Sequence, residues 1–108
     1  MPLIIDRINA FSDNYIWLFH QPGNPAACVV DPGDAAPVEA MLRRRNLKLD
    51  AILVTHHHAD HVGGISALLN DRDIPVYGPE SINQVSQPVS EGDNLILMGT
   101  TFEVIAVP

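Results

Sequence analysis

A short apolar run that ends in a cluster of histidines constrains the fold of this chain more than any other stretch. Residues 51–54 (Ala-Ile-Leu-Val) have the composition of a buried strand, and residues 55–61 (Thr-His-His-His-Ala-Asp-His) follow directly. Four of the five histidines fall within this second segment, beside one aspartate. Open α/β sheets place their ligand sites at the carboxyl ends of strands. Imidazole and carboxylate groups suit zinc, iron and related metals, so the sequence predicts a metal site there.

The spacing inside the cluster predicts which side chains project in the same direction. Residues two apart in an extended segment project the same way, so His56 and His58 are able to converge on one ion while His57 points elsewhere. Asp60 and His61 come where the chain turns, and both are able to face the same ion or a second one nearby. The pattern therefore predicts four ligands and leaves open whether they serve one ion or two.

Two further observations bear on the cluster. The pair Gly63-Gly64 follows it and permits a sharp turn with close packing, because glycine has no Cβ. A catalytic zinc normally has three protein ligands and a water, so two ions would each lack one or two ligands here. The remaining histidine, His20, ends a predicted strand, and we do not expect it to be a ligand.

The rest of the pattern predicts a single domain of the α/β (α+β) class. Hairpins combined with strand–helix units favour a mixed sheet that carries helices on one face. A helix is expected from near Pro37 to near Asn46, with its buried face formed by Val38, Met41 and Leu42. The other predicted helices are 62–69 and 79–85, and the predicted strands are 3–8, 15–19, 27–30, 50–55, 74–77, 95–98 and 102–107, of which the last two pair as a hairpin.

Composition excludes several partners. The formal net charge is −7, and three of the six basic residues are consecutive, at 43–45. No basic stripe remains for nucleic acid, and no apolar segment approaches the ~20 residues that span a bilayer. The amino terminus lacks the features of a secretory signal, so we expect a cytoplasmic protein. The single cysteine, Cys28, lies in a strand-like run and is expected to be buried and inert.

At this point the motifs resemble a known family. The segment 55–64 (Thr-His-His-His-Ala-Asp-His-Val-Gly-Gly) resembles the signature of the metallo-β-lactamase superfamily and, within it, of the glyoxalase II (hydroxyacylglutathione hydrolase) family. Segments 13–17 (Asp-Asn-Tyr-Ile-Trp), 30–34 (Val-Asp-Pro-Gly-Asp) and 102–108 are also similar to that family. The resemblance spans the whole chain.

The resemblance implies an αββα sandwich with a binuclear site at one rim between its two sheets. By position, His56 and His58 would bind the first metal, and Asp60 with His61 the second. Asp31 matches an acidic residue that braces the ligand loop. The implied cofactors are two divalent ions, zinc first, although iron and manganese also accept this ligand set. Family members continue beyond this length, so we expect the amino-terminal half of the sandwich, without its carboxyl-terminal half or the helical glutathione-binding domain.

The implied reaction is hydrolysis of S-lactoylglutathione to lactate and glutathione through a metal-bound hydroxide, with Asp60 orienting the nucleophile. The 108 residues alone are expected to hold metal poorly and to turn over little or no thioester. Two alternatives stay open: a persulfide dioxygenase of the same superfamily that uses one iron, and a non-catalytic metal-binding fragment. A half-domain would also expose a sheet face, so self-association of the chain is expected.

Overall fold

The first six strands form one mixed sheet in chain order, and the last two form a separate hairpin. The computed structural model describes residues 3–10, 14–55, 63–70, 72–97 and 100–104. The elements within these residues are β1 (Ile4–Ala10), β2 (Asn14–His20), β3 (Ala26–Val30), α1 (Ala35–Arg45), β4 (Lys48–Leu53), α2 (Ile65–Leu68), β5 (Val76–Gly78), β6 (Gln87–Pro88), β7 (Asn94–Leu97) and β8 (Thr100–Glu103).

The mode of strand pairing changes once across the large sheet, from antiparallel to parallel at β3. β1, β2 and β3 pair antiparallel, whereas β3, β4, β5 and β6 run parallel. The register between β3 and β4 shifts after Ala27, which pairs with Leu49 while Cys28 pairs with Ala51, so Asp50 is the extra residue of a bulge. The prediction of a mixed sheet is confirmed, and the parallel strands end together at one edge.

Both described helices pack on the same face of the large sheet. α1 begins where the Asp34 side chain accepts a hydrogen bond from the Ala36 backbone N–H at 3.3 Å, and it ends at Asn46 in the left-handed conformation. Its predicted apolar face is confirmed, because Val38, Met41 and Leu42 are buried. The same core contains members of α2 and of the sheet: Ile16, Leu18, Val29, Leu49, Ile52, Ile65, Leu68 and Val76.

The second face of the sheet is covered only in part. The β7–β8 hairpin, which the sequence predicted, packs over Cys28 and Ala51, and the ring of Phe102 stacks on Phe19 with centroids 5.8 Å apart. Side chains alternate along β2, so Tyr15 and Trp17 face this second side, and they are 47% and 40% exposed.

Strand bounds differ from the prediction by a few residues, and three elements differ more clearly. Residues 79–85 do not form a helix: two successive turns join the Ile82 and Val85 backbone N–H groups to the carbonyls of Pro79 and Ile82. β6 was not predicted, because two residues carry no periodic pattern. The second helix was predicted over 62–69, and α2 occupies its residues 65–68.

Candidate metal centre

The four predicted ligands, His56, His58, Asp60 and His61, lie outside the residues that the structure describes. Among the described residues, no three histidine, cysteine, aspartate or glutamate side chains lie together in a group that could hold a metal ion. The ligand assignments therefore stay predictions. The structure describes the frame on both sides of the motif, from Thr55 backwards and from residue 63 onwards.

The strand before the motif lies in the middle of the parallel part of the sheet. β4 pairs with β3 on one side and β5 on the other. Beyond its end, the Val54 backbone N–H donates to the Tyr77 carbonyl at 2.8 Å, so the chain stays in contact with the sheet up to Thr55. The motif therefore starts at the carboxyl end of β4, between the parallel strands β3 and β5, the position that the sequence predicted from the strand alone.

Asp31 holds the last described residue before the motif with both carboxylate oxygens. The Thr55 backbone N–H donates to Oδ1 at 2.7 Å, and the Thr55 hydroxyl donates to Oδ2 at 2.5 Å. Asp31 is buried, and its φ of 53° is a conformation that aspartate tolerates better than most residues. A buried carboxylate that accepts two hydrogen bonds fixes the direction in which the chain leaves β4.

The loop that carries Asp31 is tightly folded. The Asp31 backbone N–H donates to the Leu53 carbonyl at 2.8 Å, and the Gly33 N–H donates back to the Asp31 carbonyl at 2.8 Å. The carbonyl of Pro32 accepts from the Gly64 N–H at 2.8 Å, which is the first described contact after the motif. A single loop thus touches the chain on both sides of the predicted ligands.

Open space adjoins the start of the motif. A cavity of about 580 Å³ lies between the second face of the sheet and the β7–β8 hairpin, and Thr55 lines it together with Leu53, Tyr77 and Phe102. Its lining also includes two acids, Glu91 and Glu103. Small-molecule sites usually measure about 300–1,000 Å³, so the volume is that of a ligand pocket.

The remaining histidine lies at the other end of the strands from Thr55. His20 pairs with Ala27 at the beginning of β3, whereas the motif follows the carboxyl ends of β3 and β4. It is buried, and its Nε2 lies 3.1 Å from Oδ2 of Asp6, whose Oδ1 accepts from Arg45 at 3.0 Å. His20 therefore has a local partner at the end of the sheet opposite to Thr55.

Cys28 takes no part in the frame of the site. It is 1% exposed, and burial together with the negative charge of Asp50 raises the pKa of its thiol from 9.0 to about 12. Because the thiolate is the nucleophilic and metal-binding form, this thiol is inert near neutral pH. The prediction of a buried cysteine is confirmed.

Sequence reasoning missed the part played by Thr55. The histidines and the aspartate of the motif predict metal binding, whereas the local sequence predicts no function for the threonine before them. Its hydroxyl and backbone N–H are the two groups that Asp31 binds. A hydroxyl residue at the junction of an apolar strand and a ligand cluster was the available signal, but its partner is 24 residues away in sequence.

Comparison with known sequences agrees with the family resemblance. A family model described as the metallo-beta-lactamase superfamily matches residues 12–99. The hydroxyacylglutathione hydrolase of Alkalilimnicola ehrlichii is 57% identical over 91 residues, which cover 82% of this chain and 36% of that protein. The hydroxyacylglutathione hydrolase of Photobacterium profundum is 50% identical over 109 residues, covering 98% and 43%. The chain therefore spans about two fifths of the length of these curated relatives.

Solved structures share the fold. The BLEG-1 B3 metallo-beta-lactamase superposes with a TM-score of 0.81 at 23% identity, over 97% of this chain and 62% of the other. ETHE1 from Myxococcus xanthus superposes with a TM-score of 0.75 at 23% identity, over 93% and 46%. At these identities the comparison concerns the arrangement of strands and helices alone.

Proposed function

Because the chain belongs to the metallo-β-lactamase superfamily, we propose that it supplies the first metal ligands of a thioester hydrolase that acts on S-2-hydroxyacylglutathione. The products would be a 2-hydroxy acid and glutathione, lactate in the case of S-lactoylglutathione. The activity is proposed for the whole protein, since the curated relatives are more than twice as long as this chain.

The observation that carries this proposal is the brace at the end of β4. Asp31 binds Thr55 through two hydrogen bonds, and the His-x-His-x-Asp-His motif begins at the next residue. A donor set of three imidazoles and one carboxylate suits zinc, iron or manganese, and such ligands need an outer frame that fixes their direction. The described frame and the donor set fit a metal centre.

We assign His56 and His58 to a first divalent ion and Asp60 with His61 to a second. When bound, such ions polarise a carbonyl oxygen and make water acidic enough to supply hydroxide near neutral pH. Asp60 would also accept a hydrogen bond from the attacking water and orient it towards the thioester carbonyl. Cys28 is excluded as a nucleophile, because it is buried and its pKa is raised to about 12.

The substrate class rests on the names of the relatives and on the cavity beside Thr55. Relatives at 57% and 50% identity are named hydroxyacylglutathione hydrolases. The cavity is lined largely by apolar side chains, with Glu91 and Glu103 among its polar members. Two acids disfavour the carboxylates of glutathione, so we propose that the cavity side receives the acyl group and that glutathione is held elsewhere in the whole protein.

Substitutions within the motif test the metal assignment. His56→Ala and His58→Ala should each lower zinc uptake and thioester hydrolysis by at least tenfold, because each removes a ligand. His57→Ala is the matched control: it removes an imidazole from the same segment, one residue away, and should leave both quantities near the wild-type level. Equal losses in all three variants would contradict the assignment.

The metal and the co-substrate distinguish the rival enzyme. A persulfide dioxygenase would contain one iron per chain and consume oxygen with glutathione persulfide. If the protein is a thioester hydrolase, we expect thioester cleavage without oxygen consumption. Metal analysis and both assays on the whole protein therefore decide between them, and iron-dependent oxygen uptake without thioester cleavage would overturn our proposal.

Two partner proposals remain. Ile5, Tyr15 and Trp17 share the second face of the sheet and are 56%, 47% and 40% exposed. We propose that a second copy of the 108-residue chain covers this patch, since exposed apolar surface of this kind favours association. We also propose that the chain has no nucleic-acid partner, on the grounds of the charge balance, and a cytoplasmic location, because its single cysteine is a buried free thiol. No described helix is long and apolar enough to cross a membrane.

A further inference from the structure

The loop between β3 and α1 contacts the chain on both sides of the histidine motif. On the amino-terminal side, the Asp31 carboxylate binds the backbone N–H and the hydroxyl of Thr55. On the carboxyl-terminal side, the Pro32 carbonyl accepts from the Gly64 N–H at 2.8 Å. Asp31 and Pro32 are adjacent, so the two anchors are joined by a single peptide unit. All four proposed ligands lie between the anchored residues 55 and 64.

Gly64 has no room for a side chain. A Cβ built on it would lie 2.6 Å from the Pro32 carbonyl oxygen, 2.7 Å from the Ala35 nitrogen and 2.8 Å from the Asp34 carbonyl carbon. Real Cβ atoms essentially never approach other atoms closer than 3.0 Å. All three neighbours are backbone atoms of one loop and of the first residue of α1, so no side chain is able to move aside.

The requirement for glycine comes from this contact and not from the backbone conformation. Gly64 has φ −91° and ψ −7°, a negative-φ conformation that residues with a Cβ adopt, as at the third position of type I turns. It is also buried. An alanine would therefore suit the local conformation and would still force the loop and the end of the motif apart. The missing side chain brings two backbone segments together.

We propose that Gly64 is a positioning residue for metal binding, which rests on the ligand assignment made above. By admitting the β3–α1 loop, Gly64 lets this one loop contact both ends of the motif and set the distance between them. Four side chains from a short segment converge on metal ions only if the ends of that segment are held at a suitable distance. We expect Gly64→Ala to change the distance between the two anchored ends and thereby to weaken metal binding by the proposed ligands.

A merely structural role makes a different prediction. If Gly64 only allows α2 to dock, its replacement lowers the stability of the fold and affects metal binding no more than another destabilising change does. Leu42→Ala provides that comparison. Leu42 is 3% exposed in the last half of α1, so its truncation weakens the core without adding an atom to the loop.

The test is a Co²⁺ titration of the whole protein that contains this chain, followed by the visible absorption spectrum that reports coordination number and geometry. We expect Gly64→Ala to bind Co²⁺ at least tenfold more weakly than the wild type and with an altered spectrum. A loss of about tenfold in affinity is typical when a group that orients a metal ligand is removed. Leu42→Ala, under conditions where it is folded, should keep the wild-type affinity and spectrum.

If Gly64→Ala binds Co²⁺ with the wild-type affinity and spectrum, the positioning role is overturned and the proposed function still stands. The same conclusion follows if Leu42→Ala loses as much Co²⁺ affinity as Gly64→Ala does. A wild-type whole protein that takes up no Co²⁺ would instead contradict the ligand assignment itself.

A milder variant covers the case in which Gly64→Ala does not fold. Thr55→Val preserves the side-chain shape and the backbone N–H, and it removes only the hydroxyl that Asp31 binds at the other anchor. We expect a several-fold loss of Co²⁺ affinity in a folded chain. Unchanged affinity would overturn the two-anchor arrangement.

Discussion

Replacement of Asp31 should separate the two contributions of this residue to the fold. Asp31→Gly removes both hydrogen bonds to Thr55 and suits the positive φ of 53°. Asp31→Ala removes the same bonds and also places a Cβ in the left-handed region. Hydrogen bonds to a charged group contribute about 1.5–3 kcal/mol each. Thr55 is exposed, so water replaces part of what is lost, and we expect Asp31→Gly to lower the free energy of unfolding by about 2–3 kcal/mol.

The alanine variant should be less stable still. An L-residue in the left-handed conformation costs about 1 kcal/mol more than glycine, so Asp31→Ala is expected to lose about 3–4 kcal/mol in total. Asp31→Asn provides a control, because asparagine tolerates this φ and keeps an acceptor for the Thr55 backbone N–H. It should lose about half as much as Asp31→Gly, since one neutral hydrogen bond replaces a charge-assisted pair.

Urea unfolding provides the assay, with the fluorescence of the single tryptophan, Trp17, as the probe and a chelator present to exclude metal. The quantity compared is the free energy of unfolding extrapolated to water. A loss below about 0.5 kcal/mol in Asp31→Gly, a value typical of neutral surface changes, would refute the view that the carboxylate holds Thr55. Equal losses in the glycine and alanine variants would refute the contribution of the backbone conformation.

Three further predictions concern regions outside the brace. The pKa of the Cys28 thiol is about 12 in the folded chain, against 9.0 for an exposed thiol, so its contribution to stability is complete below pH 9 and is lost as pH rises towards 12. Relative to Cys28→Ala, the wild type should lose about 1.4 kcal/mol of unfolding free energy per pH unit between pH 9.5 and 11, measured by urea unfolding. Parallel pH profiles of the two proteins would contradict this prediction. Arg72 joins the two helices, because it donates to Glu39 at 2.6 Å and to the carbonyl of the last residue of α2 at 2.9 Å. Arg72→Ala should lower the free energy of unfolding by about 1 kcal/mol in the same assay, and Arg72→Lys should lower it by less. An unchanged free energy in Arg72→Ala would mean that the ion pair does not stabilise the fold. Trp17→Lys should convert a self-associated chain into a monomer in size-exclusion chromatography, whereas a monomeric wild type would contradict self-association.

Much of the fold could be predicted from local patterns. α1 was predicted because its apolar residues recur at helical spacing, and the structure confirms the burial of Val38, Met41 and Leu42. The resemblance to the metallo-β-lactamase superfamily, with relatives named hydroxyacylglutathione hydrolase, is also confirmed. These features depend on residues that are close in sequence, whose pattern is visible without knowledge of their partners.

Residues 79–85 show where local patterns fail. Ile82 and Val85 lie three apart, which favours a helical turn. The chain must nevertheless return to the sheet at once, because the Ser86 backbone N–H donates to the Val76 carbonyl at 3.0 Å and the Ser86 hydroxyl accepts from the Val76 N–H at 2.9 Å. Contact with β5 therefore limits this stretch to two turns, and that contact is not visible in the local sequence.

The histidine motif combines both kinds of information. Its residue types and spacing determine by themselves that metal binding is the predicted chemistry, and the strand before it determines the edge of the sheet where it lies. Only the tertiary structure shows that one loop holds both flanks, through Asp31 on Thr55 and through Pro32 on Gly64. These anchors join residues 24 and 32 positions apart, and a hydrogen bond across such a separation depends on how the whole sheet is assembled.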